Sequence, residues 1–191
     1  MIKKVDLRKT YKELFHAQQH EFTLITVPHL QYITIDTVLE DMSSALMLLK
    51  AMNSALMELS AELLRIEYIP SYLEGCCGDD LDMWTMMILQ PSWIDRSLYN
   101  RAQQQLEAND INPEELKFQV FHEGTSVQTL HTGSWDEIPA IRNFIEDEWI
   151  IRQGYLPGAS HHEIYLIEDL PLHPAEAEKY IIRRGVAKEK Q

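Results

Sequence analysis

What this chain lacks narrows what it can be. No apolar run approaches the roughly 20 residues that a membrane-spanning helix requires, so none is expected. The only two cysteines, Cys76 and Cys77, are neighbours, which is poor geometry for a structural staple and gives no metal spacing. They read as reduced thiols, and the acidic flank of Asp79 and Asp80 disfavours a thiolate at either. Glycine and proline are sparse, 7 and 8 residues among 191, and with an apolar fraction of 45% this is the composition of a globular chain. Basic residues are outnumbered 17 to 30, and the formal charge of -13 repels nucleic-acid phosphates. No helix-turn-helix or basic helix precedes the first strand, so no direct nucleic-acid partner is expected. The opening residues, Met1-Ile2-Lys3-Lys4-Val5-Asp6, lack the apolar core of a secretory signal, which points to a cytoplasmic location.

What is present is amphipathic patterning from end to end. Leu7, Tyr11, Leu14 and Phe15 fall at helical spacing, predicting a helix over 6–17 capped by Asp6. Alternating β-branched segments at 22–27 and 31–38 predict two strands, or one strand broken at Pro28. Met42, Leu46, Leu49, Met52, Leu56, Leu59 and Leu63 make one stripe of a long helix running to Arg65, read as core rather than as a methionine-lined binding surface. A strand over 66–74, a turn rich in Gly and Asp at 75–80 and a strand over 83–89 follow. Pro91 stops that strand, and Ser92 or Asp95 starts a helix lasting to 108. Residues 109–113, with Asn, Asp and Pro, mark the boundary between two halves.

The second half opens with a predicted hairpin, 116–121 and 126–132 joined at Glu123-Gly124. Ser134 with Glu137 makes a capping-box pattern, and Ile138, Ile141, Ile145 and Trp149 share a helix face that ends at Gly154. A strand around Glu163, a loop with Pro171 and Pro174, a last strand over 179–184 and a frayed tail over 187–191 complete the chain. Both halves thus run strand, helix, strand, strand, and the strands ending at Pro91 and Pro171 correspond.

One strand carries a candidate for chemistry. In His161-His162-Glu163-Ile164-Tyr165-Leu166, Glu163 and Tyr165 share one face while His162, Ile164 and Leu166 take the other. A carboxylate turned into a cleft is costly unless it meets a cation, a donor or a proton. Against that stands a solvated sheet edge as the bland reading. No metal is expected: His161 and His162 point to opposite faces, and His122 with His131 lacks a third ligand.

Four stretches together resemble a known family: Tyr68 with Leu73-Glu74-Gly75; Trp84-Thr85-Met86-Met87-Ile88-Leu89-Gln90-Pro91; Gln128-Thr129-Leu130-His131-Thr132-Gly133; and the Glu163 strand. In order and spacing they are similar to GyrI-like small-molecule-binding domains, specifically stand-alone bacterial members akin to multidrug-binding proteins and cyclopropanoid hydrolases. The resemblance implies an α+β fold of duplicated strand-helix-strand-strand modules with pseudo-two-fold symmetry, two antiparallel sheets enclosing a central cleft and helices outside. One domain would span 1–191, with a helical extension over 1–18, one module over about 19–110 and the second over about 111–185. It further implies a buried glutamate in an aromatic cleft, matched by Glu163, with Tyr68 close by as a catalytic phenol. Trp84, Tyr165, Tyr155, Trp135 and Glu74 would line the ligand, and no cofactor is implied. Relatives carry a tryptophan-rich segment where this chain has Cys76-Cys77-Gly78, a departure that favours binding over catalysis. Three functions follow: uptake of hydrophobic, often cationic, aromatic compounds; hydrolytic opening of cyclopropanoid genotoxins; or, from the acidic surface, inhibition of a DNA-handling enzyme as the basic protein partner.

Overall fold

Six antiparallel strands close on themselves in the computed structural model of this chain, which describes residues 2–77 and 83–188. In chain order the elements are β1 (Lys3–Asp6), α1 (Leu7–Thr10), β2 (Thr23–Val38), α2 (Met42–Leu59), β3 (Ile66–Ile69), β4 (Leu73–Cys77), β5 (Met83–Gln90), α3 (Arg96–Glu107), β6 (Lys117–Thr132), α4 (Ile138–Phe144), β7 (Tyr155–Tyr165) and β8 (Lys179–Lys188). Around the barrel the order is β2-β5-β4-β7-β8-β6, with β6 returning to β2, while β1 and β3 form a separate parallel pair. The α+β class expected from sequence is observed. The two expected sheets are joined along both edges, β2 to β6 and β4 to β7, into one continuous wall. Where the strands overlap, closure gives each of them a partner on both sides.

Several local expectations resolve differently once the strands pair. β2 runs unbroken through Pro28, because there it is bonded to β6 alone; pairing with β5 starts only at Gln31. The missing amide faces a free edge, where proline is tolerated. The hairpin at Glu123-Gly124 does not form: β6 is one strand that pairs along β2 from Thr23↔Gln128 to Thr34↔Lys117. Gly124 lies opposite Val27 at φ +73, a conformation glycine adopts at no steric cost. The expected helix over 6–17 is one turn, α1, capped by Asp6, whose Oδ1 accepts from the amides of Arg8 and Lys9. The carbonyls of Glu13, Leu14 and His16 instead accept from Gln128 and Arg183, which draws that segment onto the barrel.

The strand expected over 66–74 splits into β3 and β4 around Pro70, and Gly75, Cys76 and Cys77 continue β4 rather than turning. The remainder of that predicted turn, 78–80, and the tail end, 189–191, lie outside the described residues. The long helix α2 passes into a π-helical turn at Ser60–Leu64 and stops at Arg65 in the left-handed region, φ 58. Asp95 caps α3 by accepting from the Leu98 amide at 2.9 Å. Ser134 precedes a 3-10 turn at Trp135–Glu137, then α4, then a π-helical turn at Ile145–Ile150.

The strand period of two divides the wall into two packed faces. On the outer face Ile33, Ile35, Trp84, Met86, Ile88, Tyr165 and Ile182 pack with Leu46, Leu49 and Leu56 of α2 and with Ile138 and Ile145 of the α4 segment. On the inner face Leu30, Tyr32, Cys76, Met87 and Leu89 cluster with Leu14. Among the described residues, no helix is long and apolar enough to cross a membrane.

Candidate functional site

β7 lies between β4 and β8, so Glu163 sits in mid-wall rather than at a solvated edge, with Gly75 and Ile182 as its cross-strand partners. Its side chain is on the helix-covered outer face and is 4% exposed. Two neutral donors hold Oε2: Trp135 Nε1 at 2.8 Å and the Tyr165 hydroxyl at 3.1 Å. His161, two residues along the same face, brings Nε2 to 3.2 Å from Oε1, while its Nδ1 is buried without a partner. Burial, and then the adjacent Glu163 carboxylate, keep the Tyr165 phenol protonated well above the ordinary tyrosine range, which suits its part as donor. The same two causes push the Cys77 thiol, on this face of β4, up to about 11.

Rings enclose the carboxylate. The Trp84 and Trp135 centroids are 6.2 Å apart at 51°, Tyr180 meets Tyr165 edge-on at 6.0 Å, and His173 meets Trp135 edge-on at 5.5 Å. Gly75 makes this packing possible: a Cβ there would stand 2.6 Å from the Tyr165 hydroxyl oxygen and 3.1 Å from Trp84 Cε3. A groove of about 410 Å³ opens beside the same face, lined by Gln19, Phe22, Thr129, His131, Ile141 and Phe144. Thr129 is in register with Ile182, which is in register with Glu163, so the groove floor and the carboxylate lie on one row of the wall.

The structure thus brings Glu163, Tyr165, Trp84 and Trp135 together. It places three other candidates elsewhere. Glu74 adjoins Gly75 and so faces inward, where its Oε2 accepts from the Tyr32 hydroxyl at 3.5 Å. Tyr68 donates to Gln90 Oε1 at 3.1 Å and packs edge-on against Trp93, in the network that Gln90 shares with Asn53 of α2. Tyr155 opens β7 opposite Lys188, half-buried against the outer core. Three participants were not picked out as site residues from the sequence: His161, at spacing two from Glu163, a signal that was legible, and Gly75 and Tyr180, which needed the strand register. Among the described residues, no group of three or more His, Cys, Asp or Glu side chains is placed to hold a metal ion.

The site is thus a buried carboxylate held by ring donors beneath a helix, on the wall of an α+β barrel. Residues 94–183 match the GyrI-like small molecule binding domain, the family that the motifs resemble. An uncharacterized conserved protein from Listeria innocua superposes with a TM-score of 0.80 at 22% identity, over 96% of this chain and 100% of that one. A hydrolase from Listeria innocua gives 0.80 at 22%, over 97% and 100%. The C-terminal domain of EcmrR gives 0.59 at 17%, over 88% and 98%. At these identities the likeness is one of fold. No curated protein matches the chain.

Proposed function

We propose that this chain is a binder of hydrophobic, often cationic, aromatic compounds, taken up between the barrel wall and the α4 segment with Glu163 at the floor. One observation carries the reading: among the described residues, the buried Glu163 carboxylate has no lysine or arginine in ion-pair contact, only His161. A desolvated carboxylate without a fixed cation favours a ligand that brings one. Ring contacts with Trp84 and Trp135 would add roughly 0.5 to 2 kcal/mol each, with little demand on hydrogen-bond pattern. Trp135 rides on a three-residue turn, so an arriving ring can take the place of its indole against Trp84. The matching orders β2-β5-β4 and β6-β8-β7 support two duplicated modules, over 19–110 and 111–185, that share the single domain.

The test is a fluorescence titration with a lipophilic aromatic dye cation and its neutral isostere. Glu163→Gln should weaken the cation at least tenfold, about 1.4 kcal/mol, and leave the neutral dye within a factor of about two. Equal affinity of the variant and the native protein for the cation would remove Glu163 from the site.

The Glu163–His161 contact supports a second reading, hydrolytic opening of a strained cyclopropane conjugated to a carbonyl. Glu163 would act as general base on water, with Tyr165 as the phenol at hand for the carbonyl oxygen, since the Tyr68 hydroxyl is committed to Gln90. A cyclopropane-bearing alkylator incubated with the native protein would then yield a product heavier by one water, and Glu163→Gln would not form it.

A further inference from the structure

The inner face of the barrel holds a second group of buried polar side chains that the Glu163 site does not use. Cys76, His162, Arg183 and Gln128 stand in one row across β4, β7, β8 and β6, each the cross-strand partner of the next. His162 Nδ1 lies 3.1 Å from Glu123 Oε2, and Arg183 Nη1 lies 3.4 Å from the same oxygen; all three side chains are 1% exposed. With Nδ1 committed to Glu123, Nε2 is buried with no hydrogen-bond partner, on the strand position directly across from Cys76. Burial alone would raise the Glu123 carboxyl, but the His162 and Arg183 cations outweigh it and hold it down at about 2. Burial would likewise lower His162, yet Glu123 and then Cys76 raise it well above the ordinary histidine value. The other charged or titratable groups on this face are Glu74 of β4, kept high by burial, and Tyr32 of β2.

We propose that Cys76 is a modification site: with His162 and Glu123 it forms a sulfur, imidazole and carboxylate relay that reacts with hydrogen peroxide inside the barrel. The thiolate sulfur attacks one peroxide oxygen, a sulfur–oxygen bond forms and the oxygen–oxygen bond breaks. The departing hydroxide takes the proton from His162 Nε2 and leaves as water, so a sulfenic acid and a neutral imidazole remain. Cys76 is only 8% exposed, which leaves access to small oxidants alone. Cys77 faces the opposite side of β4, where Trp84 and Glu163 lie, so it neither shares the relay nor reaches Cys76 for a disulfide while the strand is paired. The adjacent cysteines therefore differ sharply in reactivity, whereas the sequence, with its acidic flank, disfavoured a thiolate at either.

The full chain, as Cys77→Ser and as Cys76→Ser, is treated with hydrogen peroxide for timed intervals, then unfolded in urea with dimedone present so that the trap reaches the buried sulfur, and adduct formation is followed by intact mass spectrometry with glutathione as the reference thiol. Cys77→Ser should take one adduct at least tenfold faster than glutathione, and Cys76→Ser should take essentially none. His162→Gln in the Cys77→Ser background, if its near-ultraviolet circular dichroism shows it folded, should slow the reaction at least tenfold. A rate no faster than glutathione, labelling of Cys77 as fast as of Cys76, or a folded His162→Gln protein that reacts unchanged would overturn the proposal. If His162→Gln does not fold, the comparison with glutathione decides alone. Dye binding at Glu163 is read separately, so failure of one site leaves the other standing.

Discussion

Gly75 shows how an absent side chain can organise a site. It lies directly across from Glu163, and the space a Cβ would need is taken by the Tyr165 hydroxyl and the Trp84 ring. Gly75→Ala should therefore destabilise the protein by about 1–3 kcal/mol, the usual range for overpacking, and should weaken dye binding by pushing Tyr165 off the carboxylate. Urea unfolding and the dye titration measure the two effects; a variant unchanged in both would mean that the rings do not depend on this glycine. At this scale the period of two was a sound guide. It put Glu163 and Tyr165 together from the sequence, and it equally places His161 with them, which adjacency to His162 obscured. Tyr68 could not be judged that way, because its separation from Glu163 depends on which strand each joins: β3 pairs only with β1, outside the barrel.

As an element, β4 carries opposite chemistry on its two faces within five residues. Gly75 and Cys77 serve the outer site, while Glu74 and Cys76 face the inner polar row. Glu74 has one oxygen without a partner, and burial raises its carboxyl above the ordinary glutamate value. Such a group ionises less readily in the folded chain than in the unfolded one. Its contribution to stability is full below the unfolded value, about 4.3, and is lost as pH rises from there through the folded value. Glu74→Gln should therefore raise the urea midpoint at pH 8 and leave it nearly unchanged at pH 4; the neighbours Glu123 and His162 titrate in both proteins, so their effects largely cancel in the comparison. A variant less stable at pH 8 would show that Glu74 is held ionised to advantage. The hairpin expected in β6 fails at the same scale. Glu123-Gly124 is a sound local turn signal, overridden because β2 offers a continuous partner to both halves.

At the scale of the molecule, closure ties the two halves together. β2 is bonded to β6 and β4 to β7, so each half supplies the edges that the other covers. Arg183 extends this to the N-terminal segment, where its Nη2 donates to the Leu14 carbonyl while Nε donates to Gln128. Cutting the chain in the 109–113 connector should leave fragments 1–110 and 111–191 that each lack fixed tertiary structure, since each exposes unpaired strand edges and half of both cores. Mixing them should restore the near-ultraviolet circular dichroism of the intact chain. A fragment with a cooperative unfolding transition of its own would show that closure is dispensable.

The sequence by itself determined the α+β class, the helices α2 and α3, the caps at Asp6 and Asp95, and the shared face of Glu163 and Tyr165, because each depends on residues a few positions apart. Only the tertiary structure decided that the sheets close, that Glu163 faces the helices while Glu74 faces the lumen, and that Cys76 stands across from His162. Those are matters of strand partner and register. They are set by burying two faces of one wall at once, and no local spacing in the chain encodes them.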